Sequence, residues 1–117
     1  MRELASFRAF WPYYLREHAR PATRALHYAG TSLVVLLALG AAITGTWWLL
    51  LALPVAGYGF AWTGHAAVER NRPATFTYPL WSLLADFKMW WMWLTGRIGR
   101  ELEAAGVQPH HQEPNRP

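Results

Sequence analysis

From Ala25 to Val68 the chain runs for 44 positions without a single Asp, Glu, Lys or Arg. A bilayer core about 30 Å thick takes roughly 20 apolar helical residues to cross. The uncharged block therefore holds two crossings and a tight turn, more apolar helix than a soluble chain of 117 residues can easily bury. The expectation is one all-α domain over residues 1–105, an integral membrane helical hairpin. An N-terminal interfacial helix and a C-terminal Trp-rich helix pack on it, and residues 106–117 form a disordered polar tail.

The first span runs from Pro21 or Ala25 to Ile43. Thr44-Gly45-Thr46 makes the turn, and the second span begins at Trp47-Trp48 and runs toward His65. Arg16, Arg20 and Arg24 precede the block, Arg70 and Arg72 follow it, and the turn carries no charge. The positive-inside rule then puts both termini in the cytoplasm and Gly45 outside. The formal charge of +4 is thus explained by topology. It forms no basic folded face, and no nucleic-acid partner is expected. The first ten residues contain Arg2, Glu3 and Arg8 and no apolar run, unlike a cleavable signal peptide. Without cysteine there are no disulfides, thiolate nucleophiles or cysteine metal sites.

Outside the block, Glu3 to His18 reads as an interfacial helix with Phe7, Phe10, Trp11, Tyr14 and Leu15 on its apolar side. Trp11 precedes Pro12, which disfavours helical dihedrals at Trp11 and predicts a break or kink there. A further helix is expected from Pro79 to Ala104. Asp86 and Lys88 near its middle make a third crossing expensive. It is placed at or dipping into the cytoplasmic interface, with a third span as the alternative, Asp86 toward a polar site region and Lys88 reaching headgroups beside Trp91.

Three histidines carry the chemical interest. His27 and His65 lie 18 and 20 residues from Gly45 on antiparallel spans, which is about 27 Å and about 30 Å at 1.5 Å per residue. Both sit at the cytoplasmic edge of the membrane, and His18 lies just before Pro21 on the same side. One such histidine is more often an interfacial hydrogen-bonder than a ligand; three at one depth make a metal site an even contender. Glu69 follows His65 by four residues and shares its helical face, so it is a fourth candidate, as ligand or as a carboxylate that orients a histidine. Its competing role is to pair with Arg70 or Arg72. Imidazole suits zinc, copper, iron and nickel, and two histidines with one carboxylate suit non-haem iron(II).

The residues also resemble a known family. Tyr13 to His18, Pro21, and Leu26-His27 with Gly30-Thr31 form one block. Tyr58 to Trp62 leads through Gly64-His65 to Glu69-Arg70-Asn71-Arg72-Pro73-Ala74 in a second. Tyr78 to Leu83 with Asp86-Phe87 makes a third. Over about residues 7 to 100 the chain resembles the small bacterial branch of the 2-hydroxy fatty acid dioxygenase family, long filed as a domain of unknown function. Its fungal member acts in fatty acid α-oxidation.

The resemblance implies a membrane-embedded, Fe(II)-dependent enzyme of the bacterial inner membrane. It would use dioxygen to shorten a 2-hydroxy fatty acid by one carbon, with His18, His27 and His65 as its essential histidines. A long-chain 2-hydroxy acid leaves its head at the depth where these histidines meet. Arg72 can neutralise its carboxylate, or serve instead as a topology or headgroup anchor. The competing readings are a non-catalytic membrane scaffold or subunit with structural histidines, and a zinc-dependent lipid hydrolase.

Overall fold

The computed structural model describes residues 4–107, and all regular structure among them is helical. The helices are α1 (Phe7–Arg16), α2 (Pro21–Thr44), α3 (Ala52–Thr63), α4 (Pro79–Leu94) and α5 (Ile98–Ala104). Two 3-10 turns (Trp47–Leu51 and Ala74–Phe76) and a π-helical turn (Gly64–Glu69) complete the order.

α2 opens with Pro21 in its first turn, where the missing N–H costs nothing. It closes on Gly45, whose left-handed φ of 71° disfavours any side chain and lets the chain reverse. α3 then returns antiparallel: a Cβ on Gly64 would meet Thr23, one on Gly30 would meet Phe60, and one on Gly40 would meet Leu49. Small residues thus set the seam of the hairpin, with Ala41, Ala56 and Ala61 buried along it. Elsewhere the hairpin keeps its apolar side chains outside. Leu36, Ile43, Leu51 and Val55 are exposed. Among the described residues only α2 is long and apolar enough to cross a membrane, and 28% of its most apolar window is buried within the protein.

The aromatic core lies beside the hairpin. Ser6 caps α1 by accepting from Ala9 N (3.2 Å), and Phe10, Trp11, Tyr14 and Leu15 bury one face of it. They cluster with Tyr78, Ala85 and Met89 and with Leu102, Ala105 and Val107. The Trp11 indole N–H also donates to Glu101 (2.7 Å). α4 crosses α2, where Trp90 donates to Ser32 (2.9 Å) and Trp93 stacks on Tyr28.

Several expectations change. The predicted break at Trp11 is absent: α1 continues through Pro12, because the residues around the proline are held in the core and the carbonyl it frees belongs to exposed Arg8. The second limb of the hairpin starts as a 3-10 turn at Trp47 rather than as α-helix. The stretch from 79 to 104 is two helices divided around Gly96. At 16 residues α4 is about 24 Å long, too short for a simple crossing. Lys88 lies over the rings of Trp11 (4.4 Å) and Phe7 (5.5 Å) rather than beside Trp91. Val107 is buried, and the rest of the expected tail, 108–117, falls outside the described residues.

Candidate metal centre

His18 follows α1 in the turn before α2, His27 sits two turns into α2, and His65 is the second residue of the π-turn that follows α3. Gly64 makes their meeting possible. An added Cβ there would lie 3.2 Å from Thr23 Cγ2 and 3.4 Å from Leu26 Cδ1, so the absent side chain lets the end of α3 close on the first turns of α2. All three histidines are buried. Each offers a ring nitrogen, and these atoms lie within 4.8 Å of one another. His18 Nε2 is 3.0 Å from His27 Nε2 and 3.0 Å from His65 Nε2.

The other ring nitrogens decide what these contacts mean. His18 Nδ1 lies 2.6 Å from the Tyr14 carbonyl and His27 Nδ1 lies 3.0 Å from the Thr23 carbonyl. A carbonyl only accepts, so both Nδ1 atoms carry the proton. His65 Nδ1 lies 2.6 Å from Asn71 Oδ1. The Asn71 amide is oriented by its other end, which donates to the Glu17 carbonyl and to Glu17 Oε1, each at 3.1 Å. Its oxygen therefore faces His65, and that Nδ1 is protonated too. All three neutral rings then point Nε2 lone pairs at one another. Such lone pairs repel unless a cation lies among them, and a first-row metal ion fits this donor set. For bonds of about 2.0–2.1 Å, nitrogens in neighbouring coordination positions lie within about 4 Å, and the two 3.0 Å separations from His18 meet that requirement.

The surroundings keep the rings neutral and fixed. Burial holds the His18 imidazole well below its ordinary value, and His27 and His65 push it the same way. Tyr14 stacks on His18 with ring centroids 4.1 Å apart, and its hydroxyl donates to Asp86 Oδ1. Burial pushes the Asp86 carboxyl up to about 7, against the effect of that hydrogen bond. Buried Arg24 donates to the His18 and Ala19 carbonyls (2.8 and 2.9 Å), pinning the turn that carries His18.

Glu69 and Arg72 stand elsewhere. Glu69 Oε2 accepts from the backbone N of Arg20 (2.5 Å) and so caps the N-terminus of α2. It is not in the group of converging ligand atoms. The π-turn changes the register after His65, and the left-handed Arg70 (φ 60°) then presents Asn71 to the ring. Arg72 is exposed, with its guanidinium 5.1 Å from the Phe76 ring centroid. Sequence reasoning anticipated Asp86 near a polar site and missed Asn71, Tyr14, Ser82 and the anchoring role of Arg24. Tyr14, Asn71 and Ser82 fall inside the blocks that carry the family resemblance, which is the signal that marks them; their types and spacing alone do not separate them from ordinary turn and helix residues.

Two cavities adjoin the histidines. A small one of about 10 Å³ is walled by all three with Tyr14, Ser82 and Asp86 among others, room for about one water-sized sphere. A larger one of about 290 Å³ runs between α2, α3 and α4. It is walled mainly by apolar side chains, including Val34, Leu53, Pro54, Leu83 and Phe87. His27, Ala61 and Asp86 border both.

Comparison with curated proteins and with solved structures gives no match. A family model described as 2-hydroxy-palmitic acid dioxygenase Mpo1-like matches residues 4–98, which span the three histidines, Asn71 and Asp86. The chain belongs to the 2-hydroxy-palmitic acid dioxygenase Mpo1-like family.

Proposed function

We propose that this protein is an iron(II)-dependent membrane dioxygenase that shortens 2-hydroxy fatty acids by one carbon, with His18, His27 and His65 as the metal ligands. The observation that carries this reading is the set of three Nδ1–H groups held by Tyr14, Thr23 and Asn71, which leaves three Nε2 lone pairs facing one another. A structural histidine cluster would instead alternate donors and acceptors. Iron(II) held there would supply the electrons that activate dioxygen. Three ligands leave further coordination positions open, as chemistry on a bound substrate requires.

The chain's own residues supply the rest. The cavity of about 290 Å³ approaches the usual size range of small-molecule sites, about 300–1,000 Å³, and suits an alkyl chain. Its polar end at His27 and Asp86 would set the substrate's polar head beside the metal ligands. Water is kept from the histidines by the stacked Tyr14 ring and the buried seam at Gly64. Asn71 holds the tautomer of His65, and Glu69 holds the start of α2, and through it His27, in place.

In this reading the hairpin spans the bilayer. Its exposed apolar side chains match lipid, and the arginines flanking it against an uncharged turn put both termini in the cytoplasm. The substrate then enters from the leaflet.

The test is turnover. Protein purified without oxygen and loaded with iron should convert 2-hydroxypalmitate to the acid one carbon shorter only when dioxygen is admitted. Product formation without dioxygen, or equal activity with zinc, would favour a hydrolase and overturn the dioxygenase reading.

A further inference from the structure

Ser82 and Asp86 lie one turn apart on α4 and so share a face. Both wall the small cavity that holds the three histidines. Ser82 is 3% exposed, yet its hydroxyl has no hydrogen-bond partner. A buried unpaired hydroxyl is unfavourable and uncommon, and this one borders the small cavity, which shares the walls His27, Ala61 and Asp86 with the larger one. Asp86 spends one carboxylate oxygen on Tyr14. The other has no hydrogen bond among the described residues. Asp86 also borders the larger apolar cavity, so this edge of α4 stands where an acyl chain would meet the metal ligands.

We infer that Ser82 and Asp86 recognise the 2-hydroxyl group of the substrate and make the site selective for 2-hydroxy acids over unsubstituted acids. This rests on the reading of the site given above. The free Asp86 oxygen accepts from the 2-hydroxyl, and the Ser82 hydroxyl donates to the same oxygen of the substrate. An unsubstituted acid offers only C–H at that carbon. It would bury the Asp86 oxygen and the Ser82 hydroxyl without partners, which is how a polar site rejects an analogue lacking a hydroxyl. Tyr14 positions Asp86 by fixing its other oxygen.

The test uses the iron-loaded protein in detergent without dioxygen, titrated with 2-hydroxyhexadecanoate and with hexadecanoate, with quenching of tryptophan fluorescence as the readout. The wild type should prefer the 2-hydroxy acid by about 10–100-fold, the range for two hydrogen bonds to its hydroxyl taken together. Asp86→Asn should remove most of that preference. Ser82→Ala should narrow it by about 2–10-fold, the range for a neutral hydrogen bond. Hexadecanoate affinity should change little in either variant. Because Ser82→Ala deletes a hydroxyl with no internal partner, its melting temperature should not fall, so this variant remains informative even if Asp86→Asn folds poorly. Variants that keep the wild-type preference would overturn the inference while leaving the fatty-acid reading standing. A wild type that binds both acids equally, or neither, would defeat the proposed substrate class and the inference together.

Discussion

At the base of the hairpin, where Thr23 and His27 face Gly64 and His65, histidine rings are buried, each Nδ1 is hydrogen-bonded, and the Nε2 atoms face one another. At its tip, around Ile43, Trp47 and Leu51, large apolar side chains are exposed, and the only side-chain hydrogen bonds are those of Thr44 and Thr46. The same two limbs build both ends. The difference teaches what each region is for: the tip leaves its large apolar side chains outside and suits an apolar solvent, whereas the base gathers its polar side chains inside. Exposed aliphatic area on this scale is rare in a soluble monomer. A polar cluster buried beside it is tolerated only when its groups are satisfied or bind something.

The sharpest break of the base is removal of one of the proposed metal ligands. His18→Ala or His65→Ala should reduce activity to background and lower metal content well below one ion per chain, while membrane insertion, which the proposed reading assigns to the hairpin's apolar surface, is retained. Loss of insertion in these variants would mean that the two ends do not act separately. The converse change is Leu36→Lys, at an exposed site in the middle of α2. A central charge costs about 2.5–3.5 kcal/mol on insertion scales. The membrane-bound fraction should fall, with activity per inserted molecule unchanged.

The next effect is smaller and lies wholly in the base. Asn71→Ala removes the acceptor for His65 Nδ1, and loss of such an orienting partner typically costs about 10–100-fold in metal affinity or activity. Glu69→Gln should do much less, since a side-chain oxygen that can accept from Arg20 N remains. Metal titration of both variants checks the ranking, and the reverse order would place Glu69 at the metal. Smallest is Gly30→Ala, whose new Cβ would stand 2.9 Å from Phe60 Cβ. Overpacking of this kind costs about 1–3 kcal/mol. It should lower the melting temperature in detergent without abolishing metal binding.

The tip and the base were not equally legible in the sequence. The hairpin could be read because 44 uncharged positions leave a helical chain few choices, and Gly45 marks the turn. The common depth of His27 and His65 follows from their distances to that glycine. What escaped depends on local backbone irregularity. The π-turn after His65 and the left-handed Arg70 bring Asn71 to the ring and send Glu69 to α2. A reading in regular α-helix assigns that face to Glu69. Similarly, Pro12 predicts a break that core packing of its neighbours overrides, and α4 ends early near Gly96. Local propensity reads long, regular segments well and fails where tertiary contacts select an uncommon turn.

The central claim is that three Nε2 atoms converge because they hold one metal ion. Metal analysis of anaerobically purified protein, combined with X-ray absorption at the metal edge, tests it most directly. The account predicts one iron per chain with three nitrogen neighbours of the imidazole type, and loss of bound iron in His27→Ala. Folded, active protein that binds no metal, or a metal shell without imidazole nitrogen, would contradict it.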